Sequence, residues 1–250
     1  MSVNGTISIK NLRKTFTINT SGAASLKTAL LWWRRRNVQK LEVLKGIDFE
    51  VRPGECVAVI GKNGAGKSTL LSLLARVYKP TSGSIDINGR LAPLLELGAG
   101  FHQDLSGVEN IYFNGVILGL TRQEMRERTQ AIIDFSEIGE HINAPTRTYS
   151  SGMLARLGFS VAVHIDADIL LVDEVLAVGD YEFERKCYAK IDEFRSQGGT
   201  ILFVSHQMDA VRRVADRCIW LKDGMIHRVG PPDQIIGEYE GRDLDQEAGS

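Results

Sequence analysis

Cys56-Val57-Ala58-Val59-Ile60, running into Gly61-Lys62-Asn63-Gly64-Ala65-Gly66-Lys67-Ser68, is the stretch whose reading decides the fold. Five apolar residues in a row fit a strand buried on both faces, the pattern of a parallel sheet covered by helices. The glycine-rich run fits G-x-x-x-x-G-K-[ST], and Ser68 to Val77 reads as the helix after it. Glycines let the backbone curl so that its N–H groups face phosphate oxygens, and the start of the helix adds a partial positive charge. The cradle comprises Gly61, Asn63, Gly64, Ala65, Gly66, Lys67, Ser68 and Thr69. Lys67 is expected to reach the β- and γ-phosphates of a nucleotide and Ser68 to hold Mg²⁺. A glycine-rich turn with no ligand is the plainer alternative; the strand before and the helix after weigh against it. Many unrelated phosphate-handling proteins share such a loop, so it does not name a reaction.

Two more short apolar runs, Ile169 to Val172 and Ile201 to Val204, read as buried strands. Thr6 to Ile9 and Val43 to Val51 read as strands, as do Ser84 to Ile87 and Leu91 to Leu97 around the turn Asn88-Gly89. Cys218 to Lys222, Asp223-Gly224 and Met225 to Val229 predict a hairpin, because Asp-Gly favours a two-residue turn. Between the strand groups lies a helical middle. Gly107 to Leu120 is largely apolar, and in Thr121 to Ile138 residues Met125, Ile132, Phe135 and Ile138 share one face, with Thr121 as N-cap. Strands alternating with helices predict an α/β class with a helical lobe inserted at about residues 95–165. The acidic tail after Glu240 reads as frayed.

Composition narrows the class further. The 250 residues carry 30 Lys and Arg against 31 Asp and Glu, a net charge of -1, so no overall field attracts nucleic acid. Cys56, Cys187 and Cys218 lie far apart and match no metal spacing, which predicts buried thiols in a reducing compartment. A bilayer span needs about 18 or more apolar residues in a row, and none is present. The expectation is a protein on the cytoplasmic side, doing any membrane work through a partner.

Ile169-Leu-Leu-Val-Asp173-Glu174 ends a buried strand in two acids. Asp173 is expected to assist the metal and Glu174 to activate the attacking water as general base. Paired acids are also a common solvated strand end. Ser205-His206 closes the next strand, where His206 could donate to a γ-phosphate. Taken alone, such a histidine is more often a satisfied surface or core residue.

These segments, in this order, resemble the ABC-transporter ATPases over roughly residues 6 to 235. Tyr149-Ser150-Ser151-Gly152-Met153 stands where that family has its signature L-S-G-G-Q. The resemblance implies a P-loop core with an N-terminal antiparallel β subdomain and an inserted α-helical subdomain, forming a single nucleotide-binding domain. It also implies ATP hydrolysis by a head-to-tail homodimer. Ser151 and Gly152 of one copy would meet the ATP held by the other, and Asp180 would sit at the loop crossing between copies. Phe16 resembles the aromatic that stacks on adenine. Glu96 is the positional counterpart of the family's glutamine loop and a candidate metal contact, ahead of His102 and Gln103. The signature departs from the family pattern by lacking its second glycine and its glutamine.

Tyr-Ser-Ser-Gly-Met, Leu97-Gly-Ala-Gly-Phe-His102 and Asp173-Glu-Val-Leu-Ala-Val-Gly-Asp180 together resemble the branch that exports polysaccharides and polyol phosphates, such as O-antigen, capsule or teichoic acid. That branch implies a membrane permease as partner, a lipid-linked glycan as cargo, and a position on the cytoplasmic face of the inner membrane. Residues 17–42 read as an insertion, in which Trp32-Trp33-Arg34-Arg35-Arg36 suits lipid headgroups or a pyrophosphate; a solvated loop is the plainer reading. The sequence stops at Ser250, which predicts no C-terminal carbohydrate-binding domain beyond the tail at 236–250. The rivals are the same motor with another cargo, a non-transport ATPase of this family, and a nucleotide-binding module without turnover.

Overall fold

A computed structural model describes residues 4–19, 38–95, 100–173 and 180–247. Two sheets organise it. The smaller is antiparallel, with β1 (Thr6–Asn19) between β2 (Val38–Val51) and β4 (Ser82–Asn88). The larger has six strands in the order β5 (Leu91–Leu94), β6 (Ile169–Asp173), β7 (Thr200–Val204), β3 (Cys56–Ile60), β8 (Arg217–Lys222) and β9 (Met225–Gly230). Its first five strands run parallel and β9 returns antiparallel along β8.

All five residues of β3 are buried, and they divide between two cores by parity. Cys56, Ala58 and Ile60 join Leu170, Val172, Ile201, Phe203, Cys218 and Trp220 on one face. Helices α4 (Ser151–Val163), α5 (Tyr181–Ser196), α6 (Met208–Val214) and α7 (Pro232–Glu247) contribute residues to that core. Val57 and Val59 turn the other way, with Ile169, Leu171, Leu202, Val204, Ile219 and Leu221, onto the small sheet and helix α1 (Lys67–Leu74). The alternation follows from the pleat, which sends successive side chains to opposite faces. A third core is the helical lobe, where Ile111 of α2 (Gly107–Ile117), Met125 and Ile132 of α3 (Arg122–Ser136), and Leu157 and Val161 of α4 pack together. Thr121 and Ser106 both start their helices with a reciprocal capping box, to Glu124 and Glu109 respectively. Buried Asn110 holds the loop before α2, accepting from His102 N–H at 2.7 Å and donating to Leu105 and Ser106 carbonyls. The three cysteines are buried and unpaired, with their thiols pushed up to about 12 by burial.

Several boundaries differ from the sequence expectations. The first strand continues past Ile9 to Asn19, because register shifts between Ile9 and Thr15 let it carry on as the exposed outer half of a hairpin with β2. Residues 17–19 and 38–42 of the expected insertion therefore belong to strands, and residues 20–37, with both tryptophans and the three arginines, lie outside the described residues. The helix after the cradle stops at Leu74, with Arg76 in the left-handed region. Asn88-Gly89 does not fold β4 onto β5 but passes the chain from the small sheet to the large one. The last helix, anchored by buried Ile235 and Ile236 and by the pairing of Arg212 with Asp233 and Glu240, continues to Glu247, past the point where the sequence reads as a frayed tail. The Asp223-Gly224 turn is as expected, with φ of 51° and 79° and Lys222 opposite Met225.

Candidate nucleotide-binding site

Parallel strands share a direction, so the C-terminal ends of β3, β6 and β7 open on one edge of the sheet, where ligands of such folds bind. Gly61 follows β3, Asp173 ends β6, and Ser205 and His206 follow β7. β7 lies between β6 and β3. The topology thus brings the cradle, the acid and the histidine to one edge.

Gly66 holds a left-handed φ of 106° immediately before α1, and no side chain caps that helix. The first N–H groups of α1 are therefore not answered by an N-cap side chain. Lys67 folds back over the loop, donating to the Gly61 carbonyl at 2.6 Å and the Lys62 carbonyl at 3.1 Å. Burial lowers its pKa, and the Asp173 carboxylate opposes that shift. Ser68 and Asp173 line one cleft of about 500 Å³ between the core and the helical lobe. A hydroxyl and a carboxylate on one cleft suit a hard cation such as Mg²⁺, which takes oxygen ligands. Among the described residues, no group of three or more His, Cys, Asp or Glu is arranged to hold a metal by itself.

Phe16 lies in the outer half of β1, opposite Leu41. Its ring meets Tyr78 edge-on at 5.3 Å between centroids, and the Lys14 ammonium sits 4.7 Å from its centre. Ser151 is the first residue of α4, capped by the Ser150 hydroxyl, which accepts from Met153 N–H. Neither Ser151 nor Gly152 lines the cleft that holds Ser68 and Asp173. Asp180 caps α5 through Phe183 N–H at 3.0 Å, and that bond, with the charge of Arg156, holds its carboxyl below the usual range. Glu96, Glu174 and residues 175–179 lie outside the described residues. His102 and the Gln103 carbonyl are engaged inside the helical lobe, with Asn110 and Arg147 N–H. The sequence reading did not find the rest of the cleft wall: Val77, Tyr78, Phe101 and Ile117, of which Val77, Tyr78 and Ile117 are exposed. Only the apolar character of Gly107 to Leu120 hinted at it.

The chain belongs to the ABC transporter family of ATPases, whose profile matches residues 44–177. Two solved ATP-binding cassettes share the fold. One is a dimeric cassette in a post-hydrolysis state bound to ADP and Pi, with a TM-score of 0.73 and 20% identity, covering 90% of this chain and 98% of that one. The other is the ATP-binding subunit of an ABC transporter, with a TM-score of 0.75 and 22% identity over 94% and 93%.

Within the family the similarity points to one branch. The chain is 52% identical to an O-antigen export system ATP-binding protein, RfbB, of Klebsiella pneumoniae over 202 residues, covering 81% of this chain and 82% of that protein. It is 50% identical to RfbB of Myxococcus xanthus over 86% of this chain, and 44% identical to the teichoic acids export ATP-binding protein TagH of Lactococcus lactis over 85%. The chain spans about half the length of those last two, 50% and 45%.

Proposed function

We propose that this chain, as one nucleotide-binding domain over about residues 6–235, hydrolyses ATP in a head-to-tail pair and drives a membrane permease that exports a lipid-linked glycan. The observation that carries the reading is the meeting of the Lys67 cradle, Asp173 and His206 on one sheet edge while Ser151 and Gly152 stay off the same cleft. A signature that does not face its own cradle suits a site completed by a second copy. Gly152 supports this: a Cβ there would meet nothing of its own chain closer than 3.8 Å, so intrachain packing does not require glycine. Close approach from outside gives that residue a reason.

In this reading Lys67 and the loop N–H groups hold the triphosphate, and His206 donates to the γ-phosphate. Ser68 and Asp173 would hold Mg²⁺, which offsets the charge of the phosphates. Glu174 takes a proton from the water that attacks the γ-phosphorus as the bond to ADP breaks. A positioned base contributes about 10²–10⁴-fold to rate. Glu174→Gln is therefore expected to bind ATP, release phosphate at least about 10²-fold more slowly, and accumulate closed pairs on sizing columns. Near-normal phosphate release would remove Glu174 as the base.

The cargo assignment rests on the relatives named for O-antigen and teichoic acid export. Among the described residues no helix is long and apolar enough to cross a membrane; the membrane partner is inferred from the relatives' names as ATP-binding proteins of export systems. The cleft wall of Val77, Tyr78, Phe101 and Ile117 is the apolar surface offered for docking that partner. Ile117 is 62% exposed, so Ile117→Arg is expected to leave folding and basal ATPase within about twofold. Copurification with the permease and glycan export should both be lost. Full export by that variant would move the docking surface elsewhere.

A further inference from the structure

Arg156 joins three helices. One nitrogen, Nη2, donates to Asp180 Oδ2 at 2.6 Å. The other, Nη1, donates to Glu137 Oε2 at 3.1 Å. Asp180 uses its second oxygen to cap α5. Glu137, in the left-handed conformation at φ 55°, ends α3 and also accepts from Lys186 of α5. The guanidinium lies 4.8 Å from the centre of the Phe183 ring, and its side chain is only 18% exposed. Beneath it Phe135, Phe159 and Phe183, from α3, α4 and α5, pack with ring centroids 5.7 to 6.3 Å apart.

Arg156 stands five residues into α4, about 7.5 Å along the axis from Ser151. Asp180 is the N-cap of α5. We propose that Arg156 is a positioning residue: it ties the helix that presents Ser151 and Gly152 to Asp180 at the start of α5, and so sets both against the partner copy's nucleotide. This inference rests on the paired-site reading above. The aromatic trio already holds the three helices together, and ion pairs open to solvent on one side add little stability. The fork of the guanidinium serves orientation instead. Arginine answers two carboxylates at once in a fixed plane, which the single point charge of lysine does not.

The test uses the full chain. Arg156→Gln is expected to fold normally and bind a fluorescent ATP analogue as the single copy does. Its kcat should fall about tenfold, and in the Glu174→Gln background ATP-driven pairing, followed by sedimentation, should weaken about tenfold. Arg156→Lys should recover part of both. Glu137→Gln keeps the Asp180 bond and should stay within about twofold of the parent. Wild-type kcat and pairing in Arg156→Gln would overturn the proposal. So would an equal loss of single-copy nucleotide affinity, which marks a damaged fold. Should Glu174→Gln alone not pair with ATP, the paired-site reading falls and this inference with it; pairing by Glu174→Gln that Arg156→Gln leaves unweakened overturns the inference alone.

Discussion

Lys67→Ala is expected to lose ATP turnover by about 10²–10³-fold or more, because in the proposed function it deletes the cation that meets the charge developing on the transferred phosphate. The ammonium is already held over the cradle by the Gly61 and Lys62 carbonyls. Little reorganisation is therefore needed when phosphate arrives. Lys67 is half-buried and lies outside the apolar cores, so alanine removes these two loop contacts without opening a cavity in the core. The variant should melt close to the parent, so lost activity will not reflect lost fold. Phosphate release at saturating ATP, with circular dichroism as a control, decides the point. Retention of more than a tenth of the parent rate would show that another group carries the triphosphate.

Gly61→Ala should damage both fold and activity. A Cβ at Gly61 would stand 2.2 Å from the Leu221 carbonyl oxygen, at a φ of 153°. That oxygen belongs to β8, which pairs with β3 directly before the loop, Ile60 opposite Trp220. Neither neighbour is the far end of a flexible side chain, so the strand pair or the cradle must shift. Clashes of this kind belong with the large destabilisations, on the order of 3 kcal/mol. For a chain of this size that is a fall in Tm of about 10 °C. Gly64→Ala is the control: its φ of 81° carries a left-handed cost of roughly 1–2 kcal/mol, but a Cβ there meets nothing within 4 Å. Thermal melts and phosphate release should separate the two, and equal behaviour would discard the steric argument.

The central strands were legible because a parallel sheet buried on both faces leaves uninterrupted apolar runs, as in Cys56 to Ile60. That Gly61, Asp173 and His206 share one sheet edge was legible because each follows or ends a buried apolar run, and parallel strands open on one edge. The outer half of the first hairpin was not, because the alternation in Thr15-Phe16-Thr17-Ile18 is only four residues long and is cut off from Thr6 to Ile9 by a polar stretch where the register slips. The helical end of the chain was missed for a related reason: Ile235 and Ile236 anchor a segment whose remaining turns are acidic and read as tail. The Arg156 network joins residues far apart in sequence, Glu137 and Asp180 among them, and no local pattern announces it. The apolar cleft wall is likewise assembled from the end of α1, the start of the lobe and α2, a grouping that only the fold creates.

The division of each central strand by parity has an evolutionary consequence. In β3, β6 and β8 the odd positions answer to the small sheet and the cradle helix and the even positions to the helices on the far side, and in β7 the two sets are exchanged. Substitutions at Val57 and Ala58 are sequence neighbours yet enter different cores, so drift on one side need not be matched on the other. A lineage could remodel the hairpin layer while leaving the opposite helices untouched, whereas a one-residue insertion in such a strand would scramble both inheritances together.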